Sequence, residues 1–165
     1  DVAVFSSITH LGSNPPLIGF VLRPTTVPRD TYRNIKETGY FTVNHIHSDI
    51  IEEAHHTSAK YPTEISEFSQ TSLEEEYIDD FHAPFVKDAR IKLGCKFLNE
   101  YEIKENDTLL LVSQIEHLYV ADQNIQQDDG WLKLQNADTI TINGLDGYAK
   151  TELIERFPYA RPKKA

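Results

Sequence analysis

The chain has 165 residues, 39% hydrophobic and 10% aromatic, with a formal charge of -10. A domain of this length buries roughly 70% of the surface its unfolded chain exposes, so one core suffices without a disulfide or metal staple. The acidic balance argues against nucleic acid or an anionic membrane as partner.

A single cysteine, Cys95, excludes an internal disulfide framework and fits a reducing compartment. There is no signal-peptide pattern and no apolar run near about 18 residues, so a soluble cytoplasmic protein is expected. The chain opens on DVAVFSS, which reads as the middle of a strand, and it contains no methionine. A preceding strand is therefore expected to be missing, and residues 1–165 are read as a single domain.

VAVFSS and PLIGFVL read as buried strands separated by a loop, ITHLGSNPP, marked by Gly12, Asn14, Pro15 and Pro16. RPTTVPR is a loop, because two prolines fix φ and forbid helix. DTYRNIKETG predicts a short helix with Asp30 as N-cap and Gly39 at the C′ position. YFTVNHI alternates as a strand, and SDIIEEAHHTSA predicts a second helix capped by Ser48 or Asp49. A long loop from Tyr61 to about Val86 holds a helical piece near ISEF and the acidic run Glu74, Glu75, Glu76.

Two long strands follow. ARIKLGCKFLNEYEI places Ile91, Leu93, Cys95 and Phe97 on one face, and DTLLLVSQIEHLYVA follows the turn at Glu105–Asp107. In the second strand Ile115 is out of step with Leu118, which predicts a β-bulge near Ser113. TITING is one more strand, GLDGY a turn, and RPKKA a frayed basic tail. About six strands with two or three short helices, and no βαβ alternation, point to a mainly β fold: an antiparallel barrel decorated by helices.

Charge is unevenly divided. Residues 1–46 carry four basic and three acidic groups, whereas residues 47–82 carry ten acidic groups and one lysine. Arg23, Arg29 and Arg33 are therefore local exceptions, placed beside the start of a helix whose free N–H groups favour an anion. Thr31 and Asn34 add polar groups on that side. Charge-assisted bonds of about 1.5–3 kcal/mol each could hold a phosphorylated ligand at micromolar affinity. The alternative is three solvated arginines paired with the chain's carboxylates, and a carboxylate at Asp30 would repel the same anion.

Other chemistries find little support. His45 and His47 share a strand face and His55 and His56 follow, but there is no HExxH and no paired cysteines, so no metal site is expected. Cys95 alternates with apolar neighbours and reads as core. The chain lacks G-x-S-x-G, G-x-G-x-x-G and a Walker A motif.

Four segments in order carry a resemblance: FSSITHLGSNPPLIGFVL, RDTYRNIKETGYFTVN, HHTSAKYPTEISEF, and DDG with INGLDGYAK. Together they resemble the flavin reductase-like family of FMN-binding split-barrel flavoproteins, from Val2 to Lys150. The resemblance implies a split antiparallel barrel of Greek-key type, working as a homodimer with FMN at the subunit interface. It implies a phosphate held by Arg23, Arg29, Thr31 and Asn34, with Asp30 beside them among the cofactor-binding residues. The flavin ring would lie along Ser6, Ser7, Ile8 and Thr9, lined by His56, Thr57, Ser58 and Ala59, with Tyr148 from the late turn.

His56, Ser7, Thr9 and His10 depart from the residues usual in that family, which bears on substrate choice and redox tuning. The expected activity is an NAD(P)H-dependent flavin reductase moving hydride from NADH or NADPH to FMN, with no catalytic side chain of its own, feeding a partner oxygenase. A flavin-binding electron carrier is the first alternative. A metal enzyme using His45, His47 and His55 is the second.

Overall fold

The computed structural model describes residues 1–162. Lys163 to Ala165, the end of the expected basic tail, lie outside the described residues. Five strands form the main antiparallel sheet: β1 (Thr9–Ser13), β2 (Pro16–Leu22), β3 (Tyr40–Asn44), β6 (Ile91–Ile103) and β7 (Thr108–Val120). Their spatial order is β1-β2-β7-β6-β3. The β6–β7 hairpin is thus nested between two strands that follow each other in sequence, and helix α1 (Asp30–Thr38) makes the crossover between them.

Two small hairpins complete the β structure. They are β4 (Glu75–Glu76) with β5 (Phe85–Val86), and β8 (Ile140–Asn143) with β9 (Gly147–Lys150). The second one joins the chain beyond β3, where the Ile140 amide donates to the Ile46 carbonyl at 2.8 Å. Helix α2 (Ile51–His56) follows a 3-10 turn over Ser48–Ile50.

Helix α1 runs as expected, ending on Gly39 in the left-handed region at φ 76°, with its amide on the Ile35 carbonyl. One buried residue fixes its height. Ile35 packs with Phe20, Leu22 and Leu111, and Phe5, Phe41 and Phe97 close around them. Ile35 is the one fully buried position of α1 and Tyr32 packs partly buried beside the same cluster, so a narrow apolar stripe holds the helix.

Several expectations need correction. Residues 1–8 are not a strand: Val2 packs beside Leu73 and Phe5 on Phe20, while the Ser7 hydroxyl bonds the Val21 backbone. The first strand instead lies in the stretch read as a loop. It is an edge strand exposed along most of its length, so it carries no apolar alternation. Asp30 is not the cap of α1. Arg29 occupies that position with extended backbone, and no side chain caps the helix. Ser48 and Asp49 form the 3-10 turn rather than capping α2.

The bulge expected near Ser113 has a partner-strand counterpart there. Phe97 pairs with Ser113 and Asn99 with Val112, leaving Leu98 as the extra residue of β6. The slip between Ile115 and Leu118 comes from a second bulge, at Glu116, because Gly94 pairs with His117 and Cys95 with Ile115. β4, β5 and β9 were not foreseen. The first two are only two residues long, and β9 is hidden behind the turn it follows.

Inside the sheet, Gly94 leaves room for the Phe81 ring: a Cβ there would sit 3.1 Å from it and 3.2 Å from His117 Cβ. Cys95 is fully buried, and burial pushes its thiol up to about 12. Replacing Ile35 by alanine is expected to cost about 2–5 kcal/mol of stability, seen as a lower urea midpoint with an unchanged slope. Leu145→Ala, at a residue 73% exposed, should shift stability by less than about 0.5 kcal/mol.

Candidate functional site

The start of α1 is built by its sequence. Pro24 and Pro28 hold the preceding loop out of helix, and Arg29 brings extended backbone, φ -127° and ψ 109°, to the cap position. With no side-chain acceptor there, the first-turn amides stay free to meet a ligand. The Arg29 Nε is buried and has no hydrogen-bond partner. Arg33 Nη2 lies 2.8 Å from Asp30 Oδ1, and Thr63 Oγ1 donates to Asp30 Oδ2 at 3.5 Å. The carboxylate that would repel an anion is therefore answered by its own neighbours. Arg23 lies exposed immediately after β2.

Beside this helix lies a cavity of about 610 Å³. It gathers Ser6, Ile8, Thr31, Asn34 and Thr57 of the expected site, against a wall made by β3 and β8. Ser7, Thr9, Arg23, Arg29, Asp30, His56, Ser58, Ala59 and Tyr148 lie outside its lining.

Some of these side chains are already engaged. The Ser7 hydroxyl accepts from the Val21 amide at 3.0 Å and donates to its carbonyl at 3.1 Å, so it extends the sheet where β1 has ended. Asn34 Nδ2 donates to Asp1 Oδ2 at 2.6 Å. Thr57 is buried and its hydroxyl donates to the Ala54 carbonyl at 2.7 Å, closing α2. The Ser58 and Ala59 amides donate to the His55 and His56 carbonyls at 2.9 and 3.0 Å. His56 and both side chains of that turn remain exposed. Tyr148 reaches α2 from β9, its hydroxyl 2.9 Å from His55 Nδ1.

The histidines do not converge. His45 faces Thr139 Oγ1 at 3.4 Å, His47 Nε2 lies 3.0 Å from the Asp88 carbonyl, and His55 meets Tyr148. Among the described residues no group of three or more metal-ligating side chains comes together. Sequence reasoning missed His45 as a wall of the cavity; burial holds its imidazole below the ordinary range, which favours the neutral ring. It also missed Asp138. That carboxylate takes both the amide and the hydroxyl of Ser48 and lies 3.3 Å from Lys150 Nζ. It ties the turn before α2 to the base of the β8–β9 hairpin.

A family model for the flavin reductase like domain matches residues 1–136. The chain belongs to the flavin reductase-like family. A solved structure of a candidate flavin reductase with a split barrel domain from Shewanella frigidimarina NCIMB 400 is 44% identical, with a TM-score of 0.90 over 96% of this chain and 78% of that one. Component B of nitrilotriacetate monooxygenase from Bacillus cereus is 25% identical, with a TM-score of 0.80 over 94% and 78% of the two chains. An uncharacterised protein of Halalkalibacterium halodurans is 32% identical over 136 residues, 79% of this chain. The chain spans 65% of the length of that curated relative.

The fold is thus a split barrel with antiparallel sheets. No helix is long and apolar enough to cross a membrane among the described residues.

The Asp138 node makes a pH prediction. The Ser48 hydroxyl first, then the Ser48 amide and Lys150, hold the Asp138 carboxyl down at about 2, below its ordinary value of 3.8. A carboxylate depressed in the folded state stabilises fully above its unfolded pKa and ceases to do so as pH falls through the folded one. Stability should therefore decline between about pH 5 and pH 2 in the native protein, and Asp138→Asn should flatten that decline. Urea midpoints across the range measure it; an identical acid slope in the variant would contradict the assignment.

Proposed function

We propose that the chain binds FMN at the start of α1 and acts as a flavin reductase, moving hydride from NADH or NADPH to the bound flavin. The observation that carries this reading is the buried, unpartnered Nε of Arg29 at a helix N-terminus without a side-chain cap. A buried guanidinium N–H without an acceptor costs free energy that a phosphate oxygen would recover. The residues present fit that group. Arg29 and the first-turn amides would hold the phosphate, Thr31 would add a hydroxyl, Asn34 only the amide hydrogen that its bond to Asp1 leaves over, and Arg23 would add charge from the end of β2. Arg33, by neutralising Asp30, keeps the cradle cationic.

The ring would lie along residues 6–9. The Ser7 side chain is committed to Val21, so Ser7 can offer only backbone groups, whereas Ser6, Ile8 and Thr9 keep theirs available. Thr57 is likewise committed, which leaves His56, Ser58 and Ala59 to face the ring from the end of α2, with Tyr148 held by His55. FMN, when bound, supplies the hydride-accepting chemistry. The chain's own work is to grip the phosphate, orient the ring and exclude water. No side chain is required as general acid or base.

We place the cofactor at the junction of a homodimer. The likeness to a monooxygenase component B supports a partner oxygenase as recipient of the reduced flavin. Rapid mixing of the flavin-loaded protein with each nicotinamide tests the activity: bleaching of the flavin absorbance by NADH or NADPH is expected. A protein that binds FMN yet is reduced by neither would be a carrier rather than a reductase.

Arg29→Ala should weaken FMN by about 10- to 150-fold, the loss of one charge-assisted bond worth about 1.5–3 kcal/mol. Riboflavin, which lacks the phosphate, should bind both proteins alike. Equal weakening of the two ligands in a fluorescence titration would place the arginine elsewhere.

A further inference from the structure

The bulge at Leu98 re-aims the strand that follows it. In an unbroken strand, side chains alternate between faces, so Phe97 and Glu100 would point to opposite sides of the sheet. Phe97 faces α1: it packs against the Ile35 cluster, and Lys36 Nζ lies 4.9 Å from its ring centre. Glu100 faces α1 as well, because the extra residue shifts the alternation by one. There its Oε1 accepts from the Tyr32 hydroxyl at 3.0 Å and lies 3.3 Å from Lys36 Nζ. Burial first, then the bond to Glu100 and its charge, push the Tyr32 phenol above its ordinary value of 10.0. The phenol therefore keeps its proton and donates.

We infer that Glu100 is a positioning residue for the ligand site at the start of α1, acting through Tyr32. Tyr32 belongs to the first turn of the helix, between Thr31 and Arg33, so a tie on its side chain is a tie on that turn. Ile35 sets the height of α1 against the sheet. Tyr32 and Lys36, one turn apart, meet the same carboxyl and set the angle of the helix about its own axis. Glu100 is a costly choice for a purely structural tie. Its Oε2 is buried without a partner, which stability alone disfavours. What the arrangement supplies is a first turn whose amides and Thr31 are aimed before a ligand arrives, so binding need not order them. The inference rests on the phosphate site proposed above and adds what sets its geometry.

Fluorescence titrations of the full chain with FMN and with riboflavin test it. Tyr32→Phe removes the hydroxyl and alters no formal charge. It should weaken FMN about three- to tenfold and leave riboflavin unchanged. Glu100→Ala should also weaken FMN, although the loss of a negative charge by itself would tighten an anion. Glu100→Gln keeps an acceptor for Tyr32 and should recover most of that affinity. FMN binding unchanged in Tyr32→Phe, or tightened in Glu100→Ala, would overturn the positioning role and leave the phosphate site standing. Equal weakening of both ligands would also overturn it, since a general loosening of the fold spares neither. An unaltered protein that binds FMN no better than riboflavin would overturn the phosphate site, and the inference with it.

Discussion

Ile35 holds the helix α1 against the sheet, and much of what the molecule can do follows from that contact. With one side chain buried among Phe20, Leu22 and Leu111, the helix can rotate little, so its first turn is presented at a fixed place beside the cavity. A helix N-terminus is useful to an anion only if its position is settled beforehand; otherwise binding must first order it. The nested β6–β7 hairpin provides the firm surface on which α1 rests, because it draws β2 and β3 into one sheet.

The same helix shows how a carboxylate can sit in a cationic site. Asp30 lies at the first helical position, where its charge favours the helix dipole. Left alone it would oppose any bound phosphate. Paired with Arg33 one turn on, it serves the helix and leaves Arg29 Nε without a partner, open to the phosphate proposed above. The acidic surface elsewhere sharpens the contrast, since an anion approaching this chain finds few other places to rest.

Local order in the sequence was readable where one short stretch decides the outcome. Asp30 to Gly39 contains its own helix, its stop signal and its buried residue. The long strands of β6 and β7 carried their alternation openly, and even the slip at Glu116 left a trace in the spacing of Ile115 and Leu118. What was hidden depends on partners far away. β1 is an exposed edge, so its identity rests on pairing with β2 rather than on its own pattern. Ser7 reads as a polar contact, and its hydroxyl is taken up by the Val21 backbone in place of a ladder bond. Asp138 binds Ser48 across 90 residues, a contact that no local periodicity announces. Of the site, the arginine-flanked helix start was legible; which hydroxyls are already committed was not.

The stacking of Arg156 on Trp131 has an optical consequence. Trp131 is the one indole in the chain. Its emission therefore comes from a single place, beside Arg156 in the extended stretch that follows β9. Any event that tightens or loosens that contact alters the polarity and charge around the fluorophore, so the protein carries its own lamp there.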